Sequence, residues 1–169
     1  MTLRRAMPFW ARKKAGGGFT CSGYFNPSIT GVLDLYPNAN LALSTRRLTN
    51  SYIGPCLRAG HVGDPTVQQD ICFENNVLSL SQLQAFSAAS STGQGAFISR
   101  WYRQDGSGLF VDFGGFGVNG QPLLTDSSNN PFLEGGLPSL NFGITGTGKG
   151  GAGDVADFPD APLGSSIFA

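Results

Sequence analysis

A single histidine, His61, is all the imidazole this chain has, and Gly60, Val62, Gly63, Asp64 and Pro65 around it mark a turn-rich loop. Without a second histidine, neither a multi-histidine metal site nor a histidine-based triad can be assembled, and His61 is expected at the surface. Charge is scarce too, at 13% of residues. Long hydrophobic runs are missing: nothing approaches the ~18 apolar residues that a membrane span needs. The N-terminus is basic but has no signal-peptide core, because AMPFWARKK is broken by Pro8 and closes on three cations. The protein is therefore expected to be soluble, at least until it joins an assembly. Cysteine is rare and odd in number. Cys21, Cys56 and Cys72 give no C-x-x-C spacing, so neither a disulfide framework nor a zinc site is expected, and a reducing folding compartment suits them. No metal and no cofactor is expected.

What the chain has in quantity is glycine, 25 of 169 residues, and phenylalanine, whose 13 copies outnumber Met, Trp and Tyr together. That balance favours turns and aromatic-rich strands over long helices, and the length suits one domain. The net charge of zero hides a division. Arg4, Arg5, Arg12, Lys13 and Lys14 give the first fourteen positions +5 with no acid among them, and from Ala15 onward six cations face all eleven acids, net −5. Residues 1–19 form a basic arm in which Met7, Pro8, Phe9 and Trp10 make an apolar knot and Ala15-Gly16-Gly17-Gly18 a flexible joint. The arm is either a solvated terminus or a docking element that orders on a partner. Residues 20–169 are the folded domain.

Gly95–Gly108, GAFISRWYRQDGSG, organises that domain. Alternation puts Phe97, Ser99 and Trp101 on one face of a strand and Ala96, Ile98, Arg100 and Tyr102 on the other. Gln104-Asp105-Gly106-Ser107-Gly108 then reverses the chain into a second alternation, Leu109, Val111 and Phe113, predicting a hairpin. Upstream, the pattern predicts a short strand at Val32–Tyr36, a strand over Leu41–Leu48 and its partner over Tyr52–Arg58, with Thr49-Asn50-Ser51 as the turn. Val67–Phe73 reads as a further strand and Asn75-Asn76 as a turn. Ser79–Phe86 is the one helix, opened by a capping box from Ser79 to Gln82, with Leu80, Leu83 and Phe86 or Ser87 as its apolar stripe. Arg46, Arg47 and Arg58 read as a solvated rim or as partners of body acids rather than as an anion site. Phe113–Gly120 is either a close-packed crossing or an apolar patch covered by a neighbour. Gly143–Gly153 lacks the order of a phosphate loop, because Gly follows Lys149 where Ser or Thr is needed. Asp154, Asp157 and Asp160 lack the Gly and Glu of a calcium loop.

The succession Ser44-Thr45-Arg46-Arg47-Leu48, Ser51–Arg58, a short Leu- and Ala-rich helix, and Trp101–Gly108 resembles the N-terminal half of the LamG-like, concanavalin-A-like jelly-roll domains of tailed-bacteriophage structural proteins. It spans about residues 40–145. The family's central motif reads W-Y-D-Q-S-G-N-G, and fungal arabinofuranosidases on a related sandwich share its Y-D-Q-S-G-N-G turn. Here Arg103 stands in place of the motif's acid and Asp105 in place of its serine, while Gln104, Gly106 and Gly108 match. Such a pattern suits a motif that fixes a turn rather than performs chemistry. Later strands are implied at Gln121–Leu124 and Gly136–Phe142, with a polar loop over Thr125–Gly135. The resemblance implies an antiparallel jelly-roll-like β-sandwich. In the family the sandwich continues for several more strands, so the sheet is expected to be completed by further polypeptide or by other chains.

Three functional classes separate on these residues. A glycosidase needs two carboxylates flanking a cleft, and Glu74 and Glu134 sit in turns with no motif around them, so no enzyme is expected. A lectin-like module would use Trp101, Tyr102, Arg103, Gln104 and Asp105 to hold a host-surface glycan. A virion structural protein, a fibre, decoration or tail-associated subunit, would dock through Arg4, Arg5, Phe9, Trp10, Arg12, Lys13 and Lys14 and bind other virion proteins and its own copies. The last reading is the expected one, with assembly in the host cytoplasm and neither membrane nor nucleic acid as a partner.

Overall fold

The structure is a computed structural model, and it describes residues 21, 30–39, 41–90, 95–113 and 121–141. The basic arm, Phe116, the 143–153 glycine loop, Asp154, Asp157 and Asp160 and the closing residues 165–169 lie outside them. The fold is mostly β and antiparallel, as the composition and alternation predict. Its centre is a four-stranded sheet in the order β2-β1-β5-β6, built from β1 (Leu57–His61), β2 (Asp64–Ile71), β5 (Ala96–Tyr102) and β6 (Phe110–Asp112). Two small hairpins join it: β3 (Phe73–Glu74) with β4 (Val77–Leu78), and β7 (Leu133–Glu134) with β8 (Leu137–Pro138). Of the two implied later strands, Gln121–Leu124 contributes one bridging residue, Leu123, between Phe97 and Asn141.

Two short helices are described rather than one. Helix α2 spans Leu80–Ala88, and its cap is half of the predicted box. Ser79 Oγ accepts from the Gln82 N–H at 3.3 Å, but the Gln82 side chain turns away and takes the Cys72 N–H at 2.9 Å. Its buried stripe is Leu83, Phe86 and Ser87, with Leu80 half-buried. Helix α1, Val32–Leu35, replaces the predicted strand. Leu33 N–H donates to Leu48 O at 2.8 Å, and the Asp34 carboxylate accepts from Gly31 N–H at 2.8 Å, Thr49 Oγ1 at 2.6 Å and Asn50 N–H at 3.1 Å. A Cβ on Gly31 would lie 2.1 Å from Leu48 O, so only glycine lets the two backbones approach. These tertiary bonds override the β propensity of the segment.

The Leu41–Leu48 segment is not a ladder strand either. Leu41, Ala42 and Leu43 are all buried, and pairing is confined to one bridge, Arg46 with Val77. The partner expected at Tyr52–Arg58 instead begins at Leu57 and pairs with β2 and β5. One face of the sheet carries Leu57, Ala59, Ile71, Ala96, Ile98 and Val111 into a core closed by Leu41, Leu43, Phe73, Leu78, Leu83, Phe86, Phe113 and Leu124. Full burial of each large aliphatic here stabilises by about 1.5–3 kcal/mol.

His61 is a correction. It is 5% exposed at the end of β1, its Nε2 lies 2.7 Å from Phe86 O, and its ring sits 4.1 Å from that of Phe86. The expected absence of disulfides is another: Cys21 and Cys72 are bonded, with Cα atoms 5.4 Å apart, and Cys56 is buried and free. Odd cysteine number excludes a fully paired set, not a single bridge.

Candidate functional site

The W-Y-R-Q-D-G-S-G segment closes the β5–β6 hairpin, and its residues divide by role. Trp101 points into the core, packs against it beside Phe113, and donates from Nε1 to Ser44 O at 3.4 Å. Gln104 is fully buried. Its Nε2 donates to Ser44 O at 3.1 Å and Arg46 O at 2.8 Å, while its Oε1 accepts from Leu48 N–H at 2.7 Å. One side-chain amide thus satisfies three backbone groups of a segment that has almost no ladder of its own. Gly106 and Gly108 hold φ of 78° and 72°, where side chains are strained. Asp105 accepts from Ser107 N–H at 3.0 Å and Arg103 Nε at 2.7 Å. Burial works to raise the Asp105 pKa, but the bonds from Ser107 and Arg103 outweigh it and hold the carboxyl below its ordinary value.

Of the five candidate residues, Tyr102 alone joins the face of the sheet turned away from the core. There it meets residues that the sequence reading did not connect. Asp70, Arg58, Arg100 and Asp112 are successive register partners on β2, β1, β5 and β6, a row of acid, base, base and acid across the sheet. Arg58 Nε and Nη2 reach the two Asp70 oxygens at 2.7 and 3.2 Å, and Arg100 does the same to Asp112 at 2.6 and 3.1 Å. These bidentate pairs raise both arginine pKa values. Arg100 lies 3.5 Å over the Phe110 ring, and Tyr102 donates to Asp70 at 2.8 Å with its ring edge-on to Phe110. Burial and the bond to Asp70 push the Tyr102 hydroxyl up to about 12.

A bulge lies beside this row. Between Arg58 and Ala59 the β1–β5 register skips Ser99, so Trp101 and Ile98 share the core face while Arg100 and Tyr102 share the outer one. The strict alternation expected for Phe97–Trp101 is therefore broken in mid-strand. A signal for the ion pairs does exist in the sequence: each Arg precedes its Asp by 12 positions across a predicted turn.

The other arginines split. Arg58 pairs with a body acid as expected and Arg46 is exposed, but Arg47 is buried and donates to Tyr52 O, Asn50 O and Asn76 Oδ1. Burial lowers its pKa. Glu74 and Glu134 belong to separate hairpins, and Glu74 is bonded to Ser79 and Ser81 at the start of α2. Among the described residues no group of three or more His, Cys, Asp or Glu is placed to hold a metal, and no helix is long and apolar enough to cross a membrane. The candidate docking residues Arg4, Arg5, Phe9, Trp10, Arg12, Lys13 and Lys14 are outside the described set. Comparison with family models, with curated proteins and with solved structures finds no match.

Proposed function

We propose that this is a non-enzymatic structural protein of a tailed-bacteriophage virion, a concanavalin-A-like jelly-roll domain attached to the particle through its basic arm. The observation that carries the reading is the use of the motif residues. Trp101, Gln104, Gly106 and Gly108, which match the motif of phage structural domains, are spent on the core, on backbone carbonyls and on turn conformation, as in a domain whose task is to hold shape. In purified particles the full-length protein should be present at a fixed copy number, and a chain lacking residues 1–19 should be lost from them. Particles that retain the truncated chain at wild-type copy number would remove the docking role, and absence of the full-length protein from particles would remove the virion reading.

A second reading, recognition of a host-surface glycan, is favoured by the outer face. The Asp70–Arg58–Arg100–Asp112 row is neutral as a unit and presents guanidinium donors and carboxylate acceptors beside Tyr102, a combination that matches sugar hydroxyls and an apolar ring face, while Arg100 covers one side of the Phe110 ring. The site would then lie on the sheet, not at Trp101, Arg103, Gln104 and Asp105. A neutral-glycan array should show binding that Tyr102→Ala and Arg100→Ala abolish and Arg103→Ala spares. A blank array, or loss with Arg103→Ala alone, would count against it.

A further inference from the structure

Neither partner of the Cys21–Cys72 bond lies in a strand. Cys72 fills the one-residue break between β2 and β3, where its N–H donates to Gln82 Oε1 at 2.9 Å and its carbonyl accepts from Ser79 N–H at 2.9 Å. Both backbone groups are thus bonded to the start of α2, independently of Cys21. Cys21 precedes every described element, 51 positions away. The four-stranded sheet is closed by pairings among residues 57–112, none of which involves either cysteine. The third cysteine stays out of the exchange. Cys56 is fully buried, its thiol donates to Ser44 O at 3.4 Å, and burial pushes its pKa up, leaving little thiolate to attack the bond. Cys21 and Cys72 are buried too once bonded, at 4% and 2% exposure, and differ from Cys56 in facing each other.

We propose that the Cys21–Cys72 bond is an oxidative staple, closed on an already folded sheet when the protein passes from a reducing to an oxidising compartment. The oxidant is a small disulfide such as oxidised glutathione. A thiolate from one cysteine attacks it, forming a mixed disulfide and releasing one glutathione. The thiolate of the other cysteine then displaces the second glutathione and closes the protein bond. Two electrons pass to the oxidant, and the two thiol protons end on two reduced glutathiones. The proposal rests on the virion reading only for where the passage occurs: assembly in the cytoplasm, exposure after release.

The full-length protein, purified reduced, tests it in glutathione buffers from fully reduced to fully oxidised, with acid quenching, alkylation and peptide mapping. The reduced chain should already unfold cooperatively. Cys21 and Cys72 should be free in excess reduced glutathione and paired in oxidised glutathione, with Cys56 unmodified in both. Oxidation should raise the thermal midpoint by about 10 °C, and Cys21→Ser should keep the reduced midpoint in either buffer. A reduced chain with no cooperative transition, a bond that survives excess reduced glutathione, or pairing through Cys56 would overturn the proposal. These readouts need no particle. In the host, alkylation before lysis and after release should find free and paired cysteines respectively, and pairing before lysis would count against the staple, whereas absence from particles would count only against the virion reading.

Discussion

Gln104 shows how much of a fold can hang on one side chain. Its amide makes three bonds to the 44–48 segment at 2.7 to 3.1 Å in a fully buried setting. Gln104→Ala strands one N–H and two carbonyls, of which Ser44 O keeps other donors, and should cost about 3 kcal/mol or more in urea denaturation. Loss of less than about 1 kcal/mol would show that water replaces the amide. Asp105 beside it gives stability a pH dependence. Its folded pKa is held below the unfolded value, so the unfolded chain takes up the proton first as pH falls. Its contribution is then complete above the ordinary carboxylate pKa of about 4 and is lost as pH drops through the folded value. Asp34, Asp64 and Asp126 are lowered in the same direction, chiefly by hydrogen bonds from Thr49, Thr66 and Asn130. The urea midpoint should be flat from neutral pH to about 5 and fall below about 4, and Asp105→Asn should soften that acid limb. His61 marks the limit of residue-level reading: its neighbours describe a loop, but the ring's partner is Phe86, 25 positions on.

At the scale of elements, the legible parts are those whose cause is local. The β5–β6 hairpin follows from alternation on either side of two glycines, α2 from its Ser79 cap and apolar stripe, and the β3–β4 turn from Asn75-Asn76. The misread parts have distant causes. Val32–Leu35 is helical because Leu48, Thr49 and Asn50 bond its backbone and Asp34. The β5 faces switch because Ser99 is skipped in pairing with β1. The Arg–Asp row needs four strands in register, which no single segment encodes. The Asn pair supports a prediction of its own. Asn75 and Asn76 hold φ of 52° and 63°, the double left-handed geometry of a two-residue hairpin turn, which β-branched residues adopt only with strain. Asn75 is exposed, so substitution there reports on backbone conformation rather than packing. Asn75→Gly should leave stability within about 0.5 kcal/mol and Asn75→Val should lower it by about 1–2 kcal/mol, read by chemical denaturation. Equal behaviour of the two variants would mean that the turn relaxes.

For the whole molecule the covalent long-range constraint among the described residues is the bond that closes 51 positions. The loop it makes contains α1, β1 and β2, so it ties Cys21 to the residue that follows the edge strand of the central sheet. In the chain-entropy description a loop of this length stabilises by about 4 kcal/mol, through the unfolded state rather than through any native contact. That origin has a signature that separates it from lost packing. A cross-linked unfolded chain is more compact and exposes less surface, so the denaturant slope m should be smaller for the oxidised protein than for the reduced one. Cys21→Ser and Cys72→Ser should both show the larger m and the lower midpoint, and should be indistinguishable from the reduced wild type. If m were the same in both redox states while the midpoint moved, the stabilisation would instead reside in native contacts made by the sulfurs. Cys72→Ser would then cost more than Cys21→Ser, because Cys72 is the partner seated between the sheet and α2.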